Sequence, residues 1–252
     1  VIGNGAYTHV TPLDNTDRDA ESVGGALAGA GFTKVTVATN LEQNQLKRVL
    51  QQFSSEAATA DWAVIYFAGH GIEIDGRNFL IATDASLETL RNPTSELVSG
   101  AIALDEVLAT VAPAKTLRLI VLDVCRDNPF VQAVHRVAAQ KGVLGRYAPP
   151  TPEPTLTMPG KDLGGGFVGF QPAEPNTLIL YSTQPGEVAL DGDELNSPFT
   201  RAFIKNIPVQ GQDLAAFFAH LYDEVISTTQ NRQRPALNGH LRQGDRFYFF
   251  PP

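Results

Sequence analysis

Cysteine is all but absent from this chain of 252 residues: there is one, Cys125. A single thiol excludes an internal disulfide and any zinc cluster built on cysteines, and it leaves the redox compartment open. Apolar runs of about 20 residues, the length needed to cross a bilayer as a helix, are missing as well. So is an excess of basic residues. Nineteen Lys and Arg stand against 27 Asp and Glu, for a net charge of −8 and a pI near 5.1. That balance disfavours nonspecific binding to nucleic acid and suits a cationic substrate. No internal repeat is visible. What remains is 43% hydrophobic and 18% charged, with a mean hydropathy of −0.09, so the chain can bury a sizeable core. It opens on Val1-Ile2-Gly3-Asn4, which reads as the end of a strand. Residues before Val1, any signal peptide among them, are therefore expected, and no compartment is assigned.

Two runs stand out in what is there. Leu117 to Cys125 is strongly apolar and ends on the lone thiol; Trp62 to Ala68 is its like and ends in Gly69-His70-Gly71. Short runs of branched and aromatic residues, apolar at successive positions, describe strands buried on both faces of a parallel sheet. Each run delivers a reactive side chain at a strand's carboxyl end, where open α/β sheets bind ligands. A thiol and an imidazole so placed are a candidate nucleophile and base. Taken singly, a strand-end cysteine is most often a small core residue and a strand-end histidine a satisfied structural group.

Periodicity fills in the rest. Helices are expected over Asp17–Ala30, Leu41–Ala58, Ile102–Val111, Pro198–Asn206 and Leu214–Thr228. Strands are expected over Phe32–Ala38, Thr177–Thr183 and Arg246–Phe250, and a hairpin joins Ile72–Ile74 to Asn78–Ile81 around Asp75-Gly76. The alternation of strands and helices argues for crossovers onto a mostly parallel sheet. The stretch from about 140 to 175, with its Pro-rich patch and Gly164-Gly165-Gly166, reads as a long exposed loop within one domain over 1–252.

Four segments together carry a family resemblance: Val1-Ile2-Gly3-Asn4-Gly5-Ala6-Tyr7, Tyr66-Phe67-Ala68-Gly69-His70-Gly71, Leu122-Asp123-Val124-Cys125-Arg126-Asp127-Asn128-Pro129-Phe130 and Asn196-Ser197-Pro198-Phe199-Thr200. The chain resembles the bacterial caspase-like cysteine peptidases, relatives of metacaspases, orthocaspases and paracaspases. The resemblance implies a caspase-type α/β fold, a mostly parallel sheet of about six strands sandwiched between helices. It also implies a Cys125–His70 dyad that cuts peptide bonds through a thioester. A thiol of ordinary pKa near 8.5 needs such a base, and the backbone N–H groups of Gly71 and Cys125 would hold the oxyanion.

Family members that cut after Arg or Lys line their first specificity pocket with acids. Asp123 lies two residues before the cysteine, and Asp19 stands in Arg18-Asp19-Ala20, where those relatives carry Asn-Asp-Ala. Glu187 resembles a third pocket acid. The other reading of Asp19 is a helix first-turn charge, that of Asp123 a buried hydrogen-bonding carboxylate, and that of Glu187 a surface charge. Ala68 replaces a serine found in some metacaspases. Asp84 and Asp127 sit where calcium ligands come from in some relatives, but a doubled Asp-Asp is lacking and a hard cation wants about six oxygens, so no cofactor is expected. Self-cleavage at Arg136, Lys141, Arg146 or Lys161 is weighed against plain solvated charge. His9, His135, His220 and His240 share no metal-ligand spacing. The expectation is a cysteine endopeptidase acting on peptides with a basic residue at the cleaved bond, more a monomer than an obligate dimer, with no nucleic-acid or membrane partner. The alternatives are a caspase-like scaffold that binds partners with little turnover, and hydrolysis of a nonpeptide amide on the same dyad.

Overall fold

A computed structural model describes residues 1–74, 77–86, 100–125, 156–158, 161–163, 172–184, 189–190 and 195–252. Ten strands and five helices occur among them. β1 (Ile2–Gly3), β2 (Ala38–Thr39), β3 (Trp62–Ile74), β4 (Arg77–Ile81), β5 (Ala101–Ala103) and β6 (Leu117–Cys125) are followed by β7 (Leu156–Met158), β8 (Lys161–Leu163), β9 (Thr177–Tyr181) and β10 (Ala236–His240). The helices are α1 (Thr16–Gly29), α2 (Gln43–Ala57), α3 (Leu104–Val111), α4 (Pro198–Asn206) and α5 (Leu214–Thr228).

The sheet runs β10-β9-β6-β3-β1-β2, parallel throughout except for antiparallel β10 at the edge, while β4 and β5 extend it antiparallel from β3. The mostly parallel α/β sheet of about six strands is thus the observed fold, with two short strands added off its main path.

Alternation along the strands builds a core on each face. Val64, Tyr66, Leu119, Val121, Leu178 and Leu180 pack on one side with Val23 and Leu27 of α1, Phe199 and Phe203 of α4, and Phe217 and Leu221 of α5. Ala63, Ile65, Phe67, Ile120, Leu122 and Ile179 pack on the other with Leu46 and Leu50 of α2 and Val107 and Val111 of α3. The helices start where their sequences direct. Ser197 caps α4 by accepting the Thr200 N–H, with Pro198 in the first turn, and Asp213 caps α5 by accepting the Ala216 N–H. Glu42 and Gln45 form a reciprocal capping box on α2.

Four expectations change. Phe32–Ala38 is strand only at its end, where Ala38 stands opposite Ile2 and its N–H donates to the Val1 carbonyl at 3.0 Å. Ile102 belongs to β5, and α3 begins at Leu104. Arg246–Phe250 forms no strand beyond a single bridge from Tyr248 to Asp213; its alternation instead aims Phe247 and Phe249 at Trp62, with ring centroids 5.6 and 6.0 Å away. The closing strand is β10. Finally, the long 140–175 segment is not wholly structureless, since β7 and β8 pair antiparallel within it.

Candidate active site

Gly69-His70-Gly71 does not follow the strand, as the sequence suggests, but continues it. β3 is parallel to β6 from Trp62 to His70, and from Gly71 onward it pairs antiparallel with β4. The change of partner occurs at the histidine. In the parallel register Ala68 stands opposite Asp123, and His70 opposite Cys125, the last pair of the ladder. Adjacent strands lie about 4.8 Å apart, so the register makes positions 70 and 125 neighbours. Position 125 also has the same phase along β6 as Leu119, Val121 and Asp123.

His70 is buried and held from two sides. Its ring Nε2 lies 2.8 Å from the Thr11 carbonyl oxygen. A carbonyl can only accept, so Nε2 carries the proton and Nδ1 keeps its lone pair. Nδ1 is buried with no hydrogen-bond partner among the described residues. Burial pushes the imidazole below its ordinary value of 6.5, opposed by the Thr11 carbonyl, and so favours the neutral ring. Tyr7 fixes the other side: its hydroxyl accepts the His70 backbone N–H at 2.8 Å and donates to the Ile81 carbonyl at 3.2 Å, and its ring lies 4.6 Å from the imidazole. Neither Thr11 nor Tyr7 was singled out from the sequence. The Gly5-Ala6-Tyr7 motif was the available signal, whereas the use of the Thr11 carbonyl leaves no mark on residue type.

Asp19 and Asp123 come from different elements, α1 and β6, and both are buried on the walls of one small cleft with Thr16, Ala68, Gly69 and Ser197. One oxygen of Asp19, Oδ1, accepts the Asn196 side-chain amide at 2.8 Å and the Ser197 N–H at 3.1 Å. One oxygen of Asp123, Oδ2, accepts the hydroxyls of Ser197 at 2.5 Å and Thr200 at 3.1 Å, with the Tyr66 hydroxyl at 3.5 Å. Burial and the two neighbouring carboxylates push the Tyr66 phenol well above its ordinary value, so it stays protonated. The Asn196-Ser197-Pro198 segment is therefore part of the cleft, not just a helix start.

The chain matches the caspase domain family over residues 1–245. It belongs to the caspase-domain peptidases. A paracaspase of Dictyostelium discoideum is 24% identical over 236 residues, which cover 90% of this chain and 47% of the relative; the chain thus spans about half the length of that protein. Family membership makes this a caspase domain of the cysteine-peptidase type. Within the domain the Asp84 carboxylate accepts the Gln43 N–H at 2.9 Å, at the start of α2, and the described residues hold no group of three His, Cys, Asp or Glu that could bind a metal. Glu187, Asp127, Arg136, Lys141 and Arg146 lie outside the described residues. No helix among the described residues is long and apolar enough to cross a membrane.

Proposed function

We propose that this caspase domain hydrolyses peptide bonds after Arg or Lys, with Cys125 as nucleophile and His70 as its base and acid. The observation that carries the reading is the register of β3 and β6, which pairs His70 with Cys125 and, two residues earlier, sets Ala68 beside Asp123. Cys125 adds to the scissile carbonyl carbon as its thiol proton passes to His70. The lone pair on Nδ1 suits that transfer, since Nε2 is occupied by the Thr11 carbonyl. The backbone N–H groups of Gly71 and Cys125 stabilise the oxyanion. Collapse of the tetrahedral adduct expels the amine, which takes the proton from imidazolium, and leaves a thioester. Water, deprotonated by His70, then attacks the thioester and restores the thiol.

The cleft beside Gly69 receives the basic side chain. Two buried carboxylates in a small space attract a guanidinium or ammonium and repel an acidic residue. Glu187 is a third acid for the same pocket, by resemblance. No cofactor enters the reaction, and a single copy of the domain carries every group named. The test is a fluorogenic panel with Arg, Lys, Asp or Ala at the cleaved position, run on the wild type and on Cys125→Ala. Turnover of Arg and Lys peptides that vanishes in the variant supports the reading. Unchanged turnover in Cys125→Ala ends the dyad, and preference for Asp ends the basic pocket. A wild type that binds the peptides without cleaving any of them is a binding scaffold.

A further inference from the structure

Asp19 and Asp123 belong to separate elements, so neither the sheet nor α1 alone fixes how they face one another. Ser197 touches both. The N–H of Ser197 donates to Asp19 Oδ1 at 3.1 Å, and its hydroxyl donates to Asp123 Oδ2 at 2.5 Å. The same hydroxyl oxygen accepts the Thr200 N–H at 3.0 Å, which anchors it to the first turn of α4. Around this point Asn196 ties Asp19 to Ser22, and Thr200 ties Asp123 to Tyr66, whose hydroxyl is 2.6 Å from the Thr200 hydroxyl. Buried like charges repel, and donors aimed at each are what keeps them together. The α4 amino terminus adds its partial positive charge to the same place.

We propose that Ser197 is the positioning residue of the specificity pocket: it sets the two carboxylates so that one basic side chain meets both. The role rests on the Arg/Lys reading above and adds a residue that reading does not need. A bare helix cap would stabilise α4 and nothing more. A positioning residue, in contrast, governs the binding of a cation while leaving the chemistry at Cys125 alone.

The test compares Ser197→Ala, Ser197→Gly and Ser197→Thr on Arg, Lys and Ala peptides, with inhibition by agmatine, a guanidinium amine, as a direct probe of the pocket. Glycine is the safeguard for folding, because as a cap it falls short of serine only slightly. The expected result for Ala and Gly is a rise of about tenfold in KM for both basic peptides and in Ki for agmatine, the scale of one lost hydrogen bond to a charged group, with kcat changed less than about threefold. Threonine keeps the hydroxyl and restores both constants to within about threefold. A wild type that prefers basic peptides, together with a Ser197→Gly variant of unchanged KM and Ki, overturns the positioning role and leaves the basic pocket standing. A wild type with no preference for Arg or Lys over Ala overturns both.

Discussion

His70 stands opposite Cys125 in the last rung of the parallel ladder between β3 and β6, and one residue later β3 leaves β6 for an antiparallel partner. The rung is fixed by the eight that precede it, from Trp62 and Leu117 onward. Slipping the register by one residue would turn every apolar side chain of a doubly buried strand to the wrong face. Positions 70 and 125 are thus set side by side by the core itself, while the Thr11 carbonyl that holds Nε2 decides which ring nitrogen of His70 keeps its lone pair.

Burial of His70 gives the first prediction. Its pKa lies below the ordinary 6.5 because burial disfavours imidazolium. Below pH 6.5 the unfolded chain therefore takes up a proton that the folded one refuses. Stability is full above that pH and falls as pH drops toward the folded value, by at most about 1.4 kcal/mol per pH unit. His70→Gln lacks this proton. Urea midpoints measured at pH 7.5 and 5.5 should fall more for the wild type than for the variant; parallel losses would show that the ring titrates normally.

Tyr7 gives the second. Its hydroxyl holds the His70 backbone N–H, and its ring flanks the imidazole at 4.6 Å. Tyr7→Phe keeps the ring and leaves that N–H, and the Ile81 carbonyl, each one partner short. The expected cost is about 1–3 kcal/mol in stability. Turnover should suffer too, with kcat lowered more than KM, because the base shifts while the specificity cleft stays intact. Equal kcat in the variant and wild type would confine Tyr7 to a structural role.

The strands that carry His70 and Cys125 were legible in the sequence because buried parallel strands leave continuous apolar runs. The Leu117–Cys125 and Trp62–Ala68 runs marked their strands, and the capped, periodic segments Pro198–Asn206 and Leu214–Thr228 are helical over the residues expected. What escaped depends on partners that local pattern does not reveal. Phe32–Ala38 has strand composition, yet among the described residues only Ala38 of that run pairs, with Ile2. β10 contains Asn238-Gly239, ordinarily a turn signal, yet pairs with β9 along its whole length, with Gly239 at φ +104° where it crosses the Thr177 carbonyl. Arg246–Phe250 alternates like a strand, but its alternation serves aromatic packing against Trp62 and Phe217. In the cleft, the acids could be picked out by the family resemblance, whereas the donors that hold them come from residues 177 and 178 positions away for Asp19 and 74 and 77 for Asp123.

Gly69 gives the third prediction. A Cβ there would lie 2.7 Å from the Tyr7 hydroxyl and 2.9 Å from the Phe67 ring, closer than real contacts allow. Gly69→Ala must displace Tyr7, and with it the support of His70. A destabilisation of about 1–3 kcal/mol is expected from the overpacking, with a loss of turnover larger than in Tyr7→Phe. Thermal unfolding and kcat on an Arg peptide check both; a variant of wild-type activity would mean that the cleft yields without moving the histidine.

Asp123 decides between a specificity acid and a structural one. Its carboxylate accepts hydroxyls of Ser197 and Thr200, groups that can rotate to serve either a carboxylate or an amide oxygen. Asp123→Asn therefore keeps the shape and most of the hydrogen bonding, and removes the charge. If the charge exists to bind a basic side chain, kcat/KM on Arg and Lys peptides should fall by about tenfold or more, while an Ala peptide is affected little and the unfolding midpoint moves by a few degrees at most. If the charge exists to hold α4 against the sheet, the midpoint should fall steeply and all peptides should lose turnover together. The ratio of the Arg peptide to the Ala peptide, which cancels any loss of folded enzyme, is the quantity that separates the two.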